Sequence, residues 1–232
     1  MIAVILARGG SKALPDKNIK ILGDKNMSHY AIDALMKSSI ECKIVYSSDN
    51  QNYLSLAKQF VETSFKEKIS DFILHERSTE MAGDNVSSWD SVAQIINDLN
   101  VKNEESVLLV SGVCPAINSD DINGFIEKAK KARSALSVRL NDYPVESTFC
   151  INEKGYVEPH ELTSKISARQ LAKTIYRPDG HLYFRVAEDI NNSSSFPNHD
   201  TFSINLNKSH YINIDTPEDF KYAKYIMEYS ID

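Results

Sequence analysis

The chain has 232 residues, 42% of them hydrophobic and 25% charged, which is ordinary for a soluble globular protein long enough to bury a core. Its formal net charge of −6 argues against nucleic acid as the main partner, because nucleic-acid-binding proteins normally present a basic face. A small anionic ligand is still compatible with this charge, since screening over about 8 Å lets a local cluster of cations decide.

The three cysteines, Cys42, Cys114 and Cys150, are odd in number, widely spaced and far from any zinc-binding spacing. They predict a reducing compartment, hence the cytoplasm, and three small buried side chains without a disulfide or a structural metal. No apolar run approaches the ~20 residues that cross a bilayer, and the opening run at 1–7 is too short for a signal peptide. We expect that run to be a buried first strand.

Over the first 131 residues, strand-like runs alternate with helical ones. The predicted strands cover residues 2–7, 43–48, 71–75 and 106–110. The predicted helices cover residues 28–38, 51–60, 86–99 and 119–131. Ser28 is the expected N-cap of the first helix, and Asp84 or Asn85 that of the third. Strands alternating with helices of this length indicate a mostly parallel sheet covered on both faces.

Between residues 134 and 186 this alternation stops. Strands are predicted at 135–140, 147–151 and 180–186, with a turn at 152–155 and a polar, basic stretch before the last strand. We expect a protruding lobe at about 134–180, inserted in a single domain that spans residues 1–232.

The apolar pattern returns at the end, where residues 211–214 are predicted as a strand and 218–229 as a helix that begins near Pro217. The fold class predicted from the whole pattern is α/β. We expect three α/β/α layers around a Rossmann-like, mixed and mostly parallel sheet.

A glycine-rich, basic loop follows the first strand, and residues 7–18 read ARGGSKALPDKN. Gly9 and Gly10 allow close backbone approach and a positive φ, while Arg8, Lys12 and Lys17 concentrate three cations. Loop amides and cations at the carboxyl end of a strand predict a polyphosphate-binding site. The chain has no GxxxxGK[ST] and no GxGxxG motif, and the alternative for this loop is a solvated basic turn.

This loop resembles the signature loop of the acylneuraminate cytidylyltransferases, the CMP-N-acetylneuraminic acid synthetase family. The resemblance implies a nucleotidyltransferase whose loop wraps the triphosphate of CTP, with Arg8, Lys17 and Asn18 as nucleotide contacts. It implies further nucleotide contacts from the rest of the loop, at Ala7, Gly9, Gly10, Ser11 and Lys12.

Residues 77–88, RSTEMAGDNVSS, resemble a second segment of that family. The resemblance implies that Arg77, Asp84 and Ser88 contact the nucleotide. On chemistry alone, residues 84–88 would equally be read as helix capping.

Residues 168–170 (ARQ) and 176–184 (YRPDGHLYF) resemble the segments that bind the sugar acid in relatives, where the preceding lobe often pairs two subunits. The implied sugar contacts are Arg169, Gln170, Arg177, Asp179, Gly180, His181 and Tyr183. Arg177 suits a carboxylate, because a guanidinium binds one bidentately, and Arg169 is expected to serve the neighbouring subunit. Without the resemblance, residues 177–180 are a turn and His181 a hydrogen-bonded strand histidine.

Residues 211–220, YINIDTPEDF, resemble the closing segment of the family. Period-2 alternation places Asn213 and Asp215 on one face, so both side chains are candidate ligands of one Mg²⁺. Asp215 is the expected principal ligand. The alternative role of an Asp before Thr-Pro is a helix cap.

Several positions depart from the family pattern. Asn213 stands where a carboxylate is usual, and an amide cannot accept a proton from the sugar hydroxyl. Ser111 stands where a Gln is usual, in a 110–117 segment of which only Pro115 aligns. In relatives this segment contacts the base or the sugar acid, and the resemblance implies that Ser111 contacts the nucleotide. Asp179 replaces an Asn and His181 an Ala. Together these departures predict an unusual sugar acceptor or weakened catalysis.

The reaction implied by the resemblance is transfer of CMP from CTP to the anomeric hydroxyl of a sialic-acid-like nonulosonic acid, with release of pyrophosphate. Arg8, Lys17 and Asp215 are the expected catalytic residues, Mg²⁺ the cofactor, and a homodimer the assembly. The alternatives are another nucleotide and sugar pair, such as CTP with an eight-carbon acid, and a catalytically impaired nucleotide- or sugar-binding homologue.

Overall fold

The computed structural model of the protein describes residues 1–159, 173–208 and 212–229. The strands are β1 Ile2–Leu6, β2 Ile21–Leu22, β3 Lys25–Asn26, β4 Lys43–Ser48, β5 Phe72–Glu76, β6 Ser106–Val110, β7 Ser134–Leu140, β8 Phe149–Ile151, β9 Val157–Pro159, β10 Tyr176–Val186 and β11 Phe202–Asn205. The α-helices are α1 Met27–Lys37, α2 Gln51–Ser64, α3 Ser88–Asp98, α4 Ser119–Ala129, α5 Ala187–Asn191 and α6 Pro217–Tyr229.

Seven strands form the central sheet in the order β11-β7-β10-β6-β1-β4-β5. β1 lies parallel to β4 and β6, β4 to β5, and β11 to β7, whereas β10 is antiparallel to both of its neighbours. β1, β4 and β6 have continuous apolar runs at 2–6, 44–46 and 107–110, because a strand in the middle of the sheet is buried on both faces. The predicted mixed, mostly parallel sheet is confirmed.

Helices cover both faces of this sheet. On one face, Ile5 and Tyr46 of the strands pack in a cluster with Ile32, Tyr53 and Phe125 of α1, α2 and α4. On the other face, the alternate strand residues pack in a second cluster with α3 and α5, among them Val4, Val45, Val92, Ile95 and Ile190. The three-layer architecture predicted from the sequence is therefore confirmed.

Two predicted helix caps are wrong. α1 begins at Met27, and Ser28 lies inside the helix, where its buried hydroxyl is 2.9 Å from Tyr46 Oη. α3 begins at Ser88, and its cap is Ser87 rather than Asp84 or Asn85. Ser87 Oγ accepts a hydrogen bond from the Asp90 N–H at 3.1 Å, and Asp90 Oδ2 accepts one from the Ser87 N–H at 3.1 Å. This reciprocal capping box fixes the start of α3.

The closing segment is extended without forming the predicted strand. Tyr211 lies outside the described residues, and residues 212–214 pair with no strand of the described chain. The Ile214 N–H instead donates to the Val113 carbonyl at 3.0 Å. Ile212 and Ile214 are buried in a small third cluster with Leu22 and Ala223, while Asn213 and Asp215 stay exposed. The expected alternation survives because packing against α6 replaces pairing within a sheet.

Both ends of the predicted lobe belong to the central sheet, since β7 and β10 pair with each other there. Between them, β8 and β9 form a separate hairpin that exposes Phe149, Ile151 and Val157. The expectation of three buried cysteines is wrong, because Cys150 is exposed in this hairpin and Cys42 is only half-buried. Within the described part of the chain, no helix is both long and apolar enough to cross a membrane.

Candidate functional site

A cavity of about 430 Å³ opens at the carboxyl edge of β1 and β6. Polar groups lie together at this edge because the parallel strands end there and each is followed by a loop. Eleven of the residues singled out in the sequence line it: Arg8, Lys17, Asn18, Arg77, Asp84, Ser88, Ser111, Gly180, Tyr183, Asn213 and Asp215. The structure thus brings together residues as far apart in the sequence as positions 8 and 215.

The loop after β1 is held in place by hydrogen bonds from its neighbours. The Gly9 N–H donates to Asp49 Oδ1 at 2.9 Å, and the buried Asn18 donates from Nδ2 to the Arg8 carbonyl at 2.9 Å. Gly9 and Gly10 do not have the expected positive φ, which in this loop falls on Asp16, at 53°. Gly9 packs closely against a neighbour instead, because a Cβ there would lie 3.1 Å from Asn50 Nδ2.

The cations of this loop are paired with carboxylates. Arg8 Nη1 and Lys12 Nζ lie 2.9 and 2.6 Å from the two oxygens of Asp84, and Lys17 Nζ lies 2.7 Å from Asp215 Oδ1. Hydrogen bonds from Lys12 and then Arg8 hold the pKa of Asp84 below its usual range. We call residues 8–18 with Asp84 and Asp215 the front wall. The Asp84 and Asp215 carboxylates are both accessible to solvent, so a polyphosphate can compete with either of them for its cation.

Arg77 brings a buried cation to the same cavity. Its backbone N–H donates to the Ser48 carbonyl at 2.9 Å, but its guanidinium Nε and Nη2 are buried without a hydrogen-bond partner among the described residues. Burial lowers the pKa of Arg77, and the charge of Asp49 partly offsets this effect. An unpaired buried guanidinium is costly, and an anion in the cavity would remove that cost.

α3 begins at the cavity, where Ser88 and Ser91 line its wall. The first turn of a helix has backbone N–H groups without intrahelical partners and carries a partial positive charge. The start of α3 therefore adds to the anion-binding character of the cavity.

The closing segment contributes two oxygen-bearing side chains. Asp215 is not the cap of α6, because Thr216 Oγ1 accepts from the Asp219 N–H at 3.2 Å and Asp219 Oδ2 accepts from the Thr216 N–H at 2.8 Å. Its side chain is 65% exposed, so one carboxylate oxygen is free to bind a ligand beside Lys17. No cluster of three or more His, Cys, Asp or Glu side chains in the described residues is arranged to hold a metal.

Asp215 and Asn213 nevertheless fit Mg²⁺, because both line the cavity and both offer hard oxygen atoms. In nucleotide sites this ion is typically held by one or two carboxylates, and the phosphates and water complete its shell.

β10 forms the opposite side of the cavity with an irregular stretch. Its pairing with β7 shifts between Pro178 and Tyr183, so that residues 179–182 lie opposite the single residue Ser137. Gly180 has a φ of +86°, and a Cβ there would lie 2.8 Å from Asn213 Nδ2, so the position requires glycine. We call residues 179–182, with Ser111, Ser137 and Asn213, the back wall.

Two predicted sugar contacts, Asp179 and His181, are buried inside the back wall and do not line the cavity. Asp179 Oδ1 accepts from the His181 N–H at 2.9 Å and from the Ser137 hydroxyl. Burial raises the pKa of Asp179, but hydrogen bonds and charge from His181, with the bond from Ser137, outweigh it and hold that pKa below its usual range. Asp179 is therefore a buried, ionised carboxylate.

The other predicted contacts lie elsewhere. Arg177 is exposed on β10 opposite Arg139 and does not line the cavity. Five further predicted contacts belong to the loop after β1 but do not line the cavity: Ala7, Gly9, Gly10, Ser11 and Lys12. Arg169 and Gln170 lie outside the described residues.

Sequence reasoning missed two residues that hold the site. Asp49 holds the loop after β1 in place. It follows directly after β4, at the same edge of the sheet, and this position is a signal from which its contact with the loop could have been predicted. Ser137 lies within an apolar strand, and nothing in the pattern marks it as the partner of Asp179.

Comparison with known proteins yields one family and several relatives. A family model described as cytidylyltransferase matches residues 2–232. The chain is 28% identical over 237 residues to a CMP-N,N'-diacetyllegionaminic acid synthase of Legionella pneumophila, covering 98% of this chain and 96% of that protein. It is 25% identical over 232 residues to a pseudaminic acid cytidylyltransferase of Campylobacter jejuni, with the same coverage of 98% and 96%.

Two solved structures share the fold. A CMP:2-keto-3-deoxy-manno-octonic acid synthetase complexed with CTP superposes with a TM-score of 0.67 at 14% identity and covers 98% of both chains. A 4-diphosphocytidyl-2C-methyl-D-erythritol synthase of Anaerococcus prevotii also gives a TM-score of 0.67, at 15% identity over 97% of this chain and 95% of that one. At such identities the likeness establishes the architecture alone.

Proposed function

The chain belongs to the cytidylyltransferase family, and on that premise we propose that it transfers CMP from CTP to the anomeric hydroxyl of a sialic-acid-like nonulosonic acid, releasing pyrophosphate. The observation that carries this proposal is the convergence of Arg8, Lys17 and Arg77 with Asp215 in one cavity. The acceptor class is supported by the full-length relatives, which are named for legionaminic and pseudaminic acids.

The front wall supplies the charge that this reaction requires. Nucleotidyl transfer needs in-line positioning and neutralisation of phosphate charge more than covalent help from the protein. Arg8 and Lys17 would exchange their carboxylate partners for the β- and γ-phosphates and stabilise the departing pyrophosphate. Arg77, whose buried guanidinium has two nitrogen atoms without partners in the described chain, would bind a further oxygen of the nucleotide.

Asp215 and Asn213 would hold Mg²⁺, with Asp215 as the principal ligand. When bound, the ion would neutralise part of the phosphate charge. Lys17 would orient the Asp215 carboxylate at the cavity wall, because the two groups form an ion pair there. Asn213 contributes an amide oxygen and no proton-accepting group, so this side chain does not act as the general base.

The acceptor would bind between the nucleotide and the back wall, where Ser111, Gly180 and Tyr183 line the cavity. Arg169, Gln170 and Arg177 stay predicted contacts of the sugar acid.

We also infer a homodimer formed through the β8–β9 hairpin, since the hairpin exposes Phe149, Ile151 and Val157. Sedimentation velocity would test the dimer, and Ile151→Arg is expected to shift it toward monomer.

The compartment proposed is the cytoplasm, where CTP is available and the free cysteines would stay reduced.

The test is pyrophosphate release from CTP and Mg²⁺ across a panel of eight- and nine-carbon sugar acids, with UTP and GTP as competing nucleotides. Release that requires CTP and one nine-carbon acid is the expected result. Release with an eight-carbon acid alone would reassign the acceptor. If the protein binds CTP but releases no pyrophosphate with any acid, the result would favour a catalytically impaired homologue. The observation that motivates this alternative is the amide of Asn213, where a carboxylate is usual.

A further inference from the structure

The segment 49–53, where α2 begins, contacts the loop after β1 at both of its ends. At the first end, Asp49 accepts from the Gly9 N–H at 2.9 Å. At the other end, the hydroxyl of Tyr53, in the first turn of α2, donates to Asp16 Oδ1, also at 2.9 Å. Two side chains from the start of one helix thus hold the loop at two points, and the second of them has no role in the site as described so far.

The bond between Tyr53 and Asp16 joins a fixed group to an exposed one. Tyr53 is buried and belongs to the same core cluster as Ile32 and Phe125 of the neighbouring helices. Asp16, in contrast, lies exposed in the loop. Because close-packed side chains move little, the Tyr53 hydroxyl is a fixed point to which the loop is bound.

The backbone of Asp16 explains why this residue needs a partner. Its φ of 53° and ψ of 30° lie in the left-handed region, which is unfavourable for a residue with a Cβ and is tolerated by Asp when its side chain is hydrogen-bonded. This conformation stands at the start of a short 3-10 turn, Lys17–Ile19, in which the Ile19 N–H donates to the Asp16 carbonyl at 3.0 Å. The Tyr53 hydroxyl therefore stabilises the backbone from which the turn begins.

The turn carries Lys17 to the cavity. Lys17 lies between Asp16, which is bound by Tyr53, and Asn18, whose side chain donates to the Arg8 carbonyl. Lys17 lines the cavity, whereas neither Asp16 nor Tyr53 does. A long, flexible side chain reaches one point reproducibly only where its backbone is fixed, and a displacement of about 1 Å at a reacting centre can lower a rate by as much as ~10²-fold.

We propose that Tyr53 is a positioning residue, which binds Asp16 and so holds the backbone of Lys17 where the Lys17 ammonium reaches the phosphates of the nucleotide. The inference rests on the proposed function for its effect on turnover, because that function assigns Lys17 to the departing pyrophosphate. The order that Tyr53 gives to the turn at 17–19 is a property of the folded chain alone.

Tyr53→Phe removes the hydroxyl and keeps the ring. Tyr46→Phe is the matched control, because Tyr46 is buried in the same cluster and its Oη lies 2.9 Å from Ser28 Oγ of α1. Hydrogen exchange of the Ile19 and Lys20 amides, measured by NMR, reports the order of the turn, since both N–H groups donate to carbonyls within residues 16–20. Tyr53→Phe is expected to speed both exchange rates about fivefold. Tyr46→Phe should leave them unchanged, although both variants lower Tm.

Steady-state kinetics separate positioning from a merely structural contact. In Tyr53→Phe, kcat/KM for CTP is expected to fall on the order of tenfold, while KM for the sugar acid changes less than about twofold. Tyr46→Phe should keep both at the wild-type values. In a Lys17→Ala background, Tyr53→Phe should cause no further loss, because the group that Tyr53 positions is then absent.

Two variants of Asp16 provide a second test from the other side of the contact. Asp16→Asn keeps an oxygen acceptor and tolerates the left-handed conformation, whereas Asp16→Ala has no acceptor and a strained backbone. Asp16→Ala should lose at least as much kcat/KM for CTP as Tyr53→Phe, and Asp16→Asn should recover about fivefold of that loss. Equal losses in the Ala and Asn variants would overturn the proposal.

The outcomes also distinguish this proposal from the proposed function. If the wild type releases no pyrophosphate with any acid, the proposed function fails, and the exchange of Ile19 and Lys20 alone decides whether Tyr53 holds the turn. If turnover is normal but Tyr53→Phe matches Tyr46→Phe in exchange and in kinetics, the function stands and the role of Tyr53 is wrong. Losses that multiply between Tyr53→Phe and Lys17→Ala would contradict it as well.

Discussion

The front and back walls of the cavity both hold carboxylates, but by different means. On the front wall, Asp84 and Asp215 bind the ends of flexible side chains, Arg8, Lys12 and Lys17, and are largely exposed. On the back wall, Asp179 is fully buried and accepts from a backbone N–H and a strand hydroxyl. The pKa of Asp84 lies below its usual range because of hydrogen bonds from the flexible cations Lys12 and Arg8. The pKa of Asp179 also lies below its usual range, because hydrogen bonds and charge from His181, with the bond from Ser137, outweigh the effect of burial.

The carboxylates of the front wall can therefore be replaced by another anion, whereas the buried carboxylate of the back wall cannot. Flexible, solvated ion pairs are weak enough for a triphosphate to replace one partner. A buried carboxylate with fixed donors cannot leave its partners without a large cost, so it shapes the site and does not take part in exchange. Under the proposed function, the front wall would bind the nucleotide and the back wall would shape the acceptor side.

The largest effect expected is that of Lys17→Ala on the front wall. Loss of one preorganised electrostatic donor typically costs ~10²–10³ in kcat, and Lys17 is the cation that both lines the cavity and binds Asp215. Steady-state pyrophosphate release measures it. Lys20→Ala is the matched control, because Lys20 Nζ lies 5.6 Å from the Phe220 ring centroid, outside the cavity lining. Equal losses in both variants would remove Lys17 from the site.

A smaller effect is expected for Gly180→Ala on the back wall. The positive φ costs about 1 kcal/mol of folding free energy for any L-residue, and the new Cβ would also push against Asn213. We expect kcat/KM to fall about tenfold, with the acceptor KM changing more than the CTP KM.

Gly155→Ala provides the comparison for this variant. Gly155 has a φ of +83° and open space at its Cβ position, so it shows the backbone cost alone. The free energies of unfolding of the two variants, taken from their unfolding curves, should differ by the cost of the contact between the new Cβ at position 180 and Asn213. If Gly180→Ala matched Gly155→Ala in stability and kept full activity, the back wall would not constrain the acceptor.

The smallest effect expected is a salt-dependent difference in titration between Asp84 and Asp179. Because both folded-state pKa values are depressed, the stability that each carboxylate contributes is present above its usual pKa and is lost as pH falls through the folded-state pKa. At about 1 M salt the Debye length is ~3 Å, so the pKa of Asp84 should rise toward its usual value while that of Asp179 stays depressed. NMR titration of the two carboxyl carbons at low and high salt measures both, and an equal response would remove the distinction between the walls.

The sequence predicted the layers of the fold well because burial leaves a strong pattern. The strands at 43–48 and 106–110 are found with the predicted bounds, since each contains an apolar run, at 44–46 and at 107–110. Helix starts were less predictable. Several Ser, Asp and Asn residues precede α1 and α3, and only the three-dimensional contacts select Ser87 as a cap and bury Ser28 against Tyr46.

For the site, the sequence by itself determined the cations after β1 and the alternation that exposes Asn213 and Asp215, because both follow from local spacing. Tertiary structure alone decided that Asp84 neutralises Arg8, 76 positions away, and that Ser137 binds Asp179, 42 positions away. Tertiary packing also buries Asp179 and His181 in the back wall, where neither side chain lines the cavity. A local pattern fixes which face a side chain takes, but the partner on that face depends on which distant strands and loops the packed core brings to the same edge.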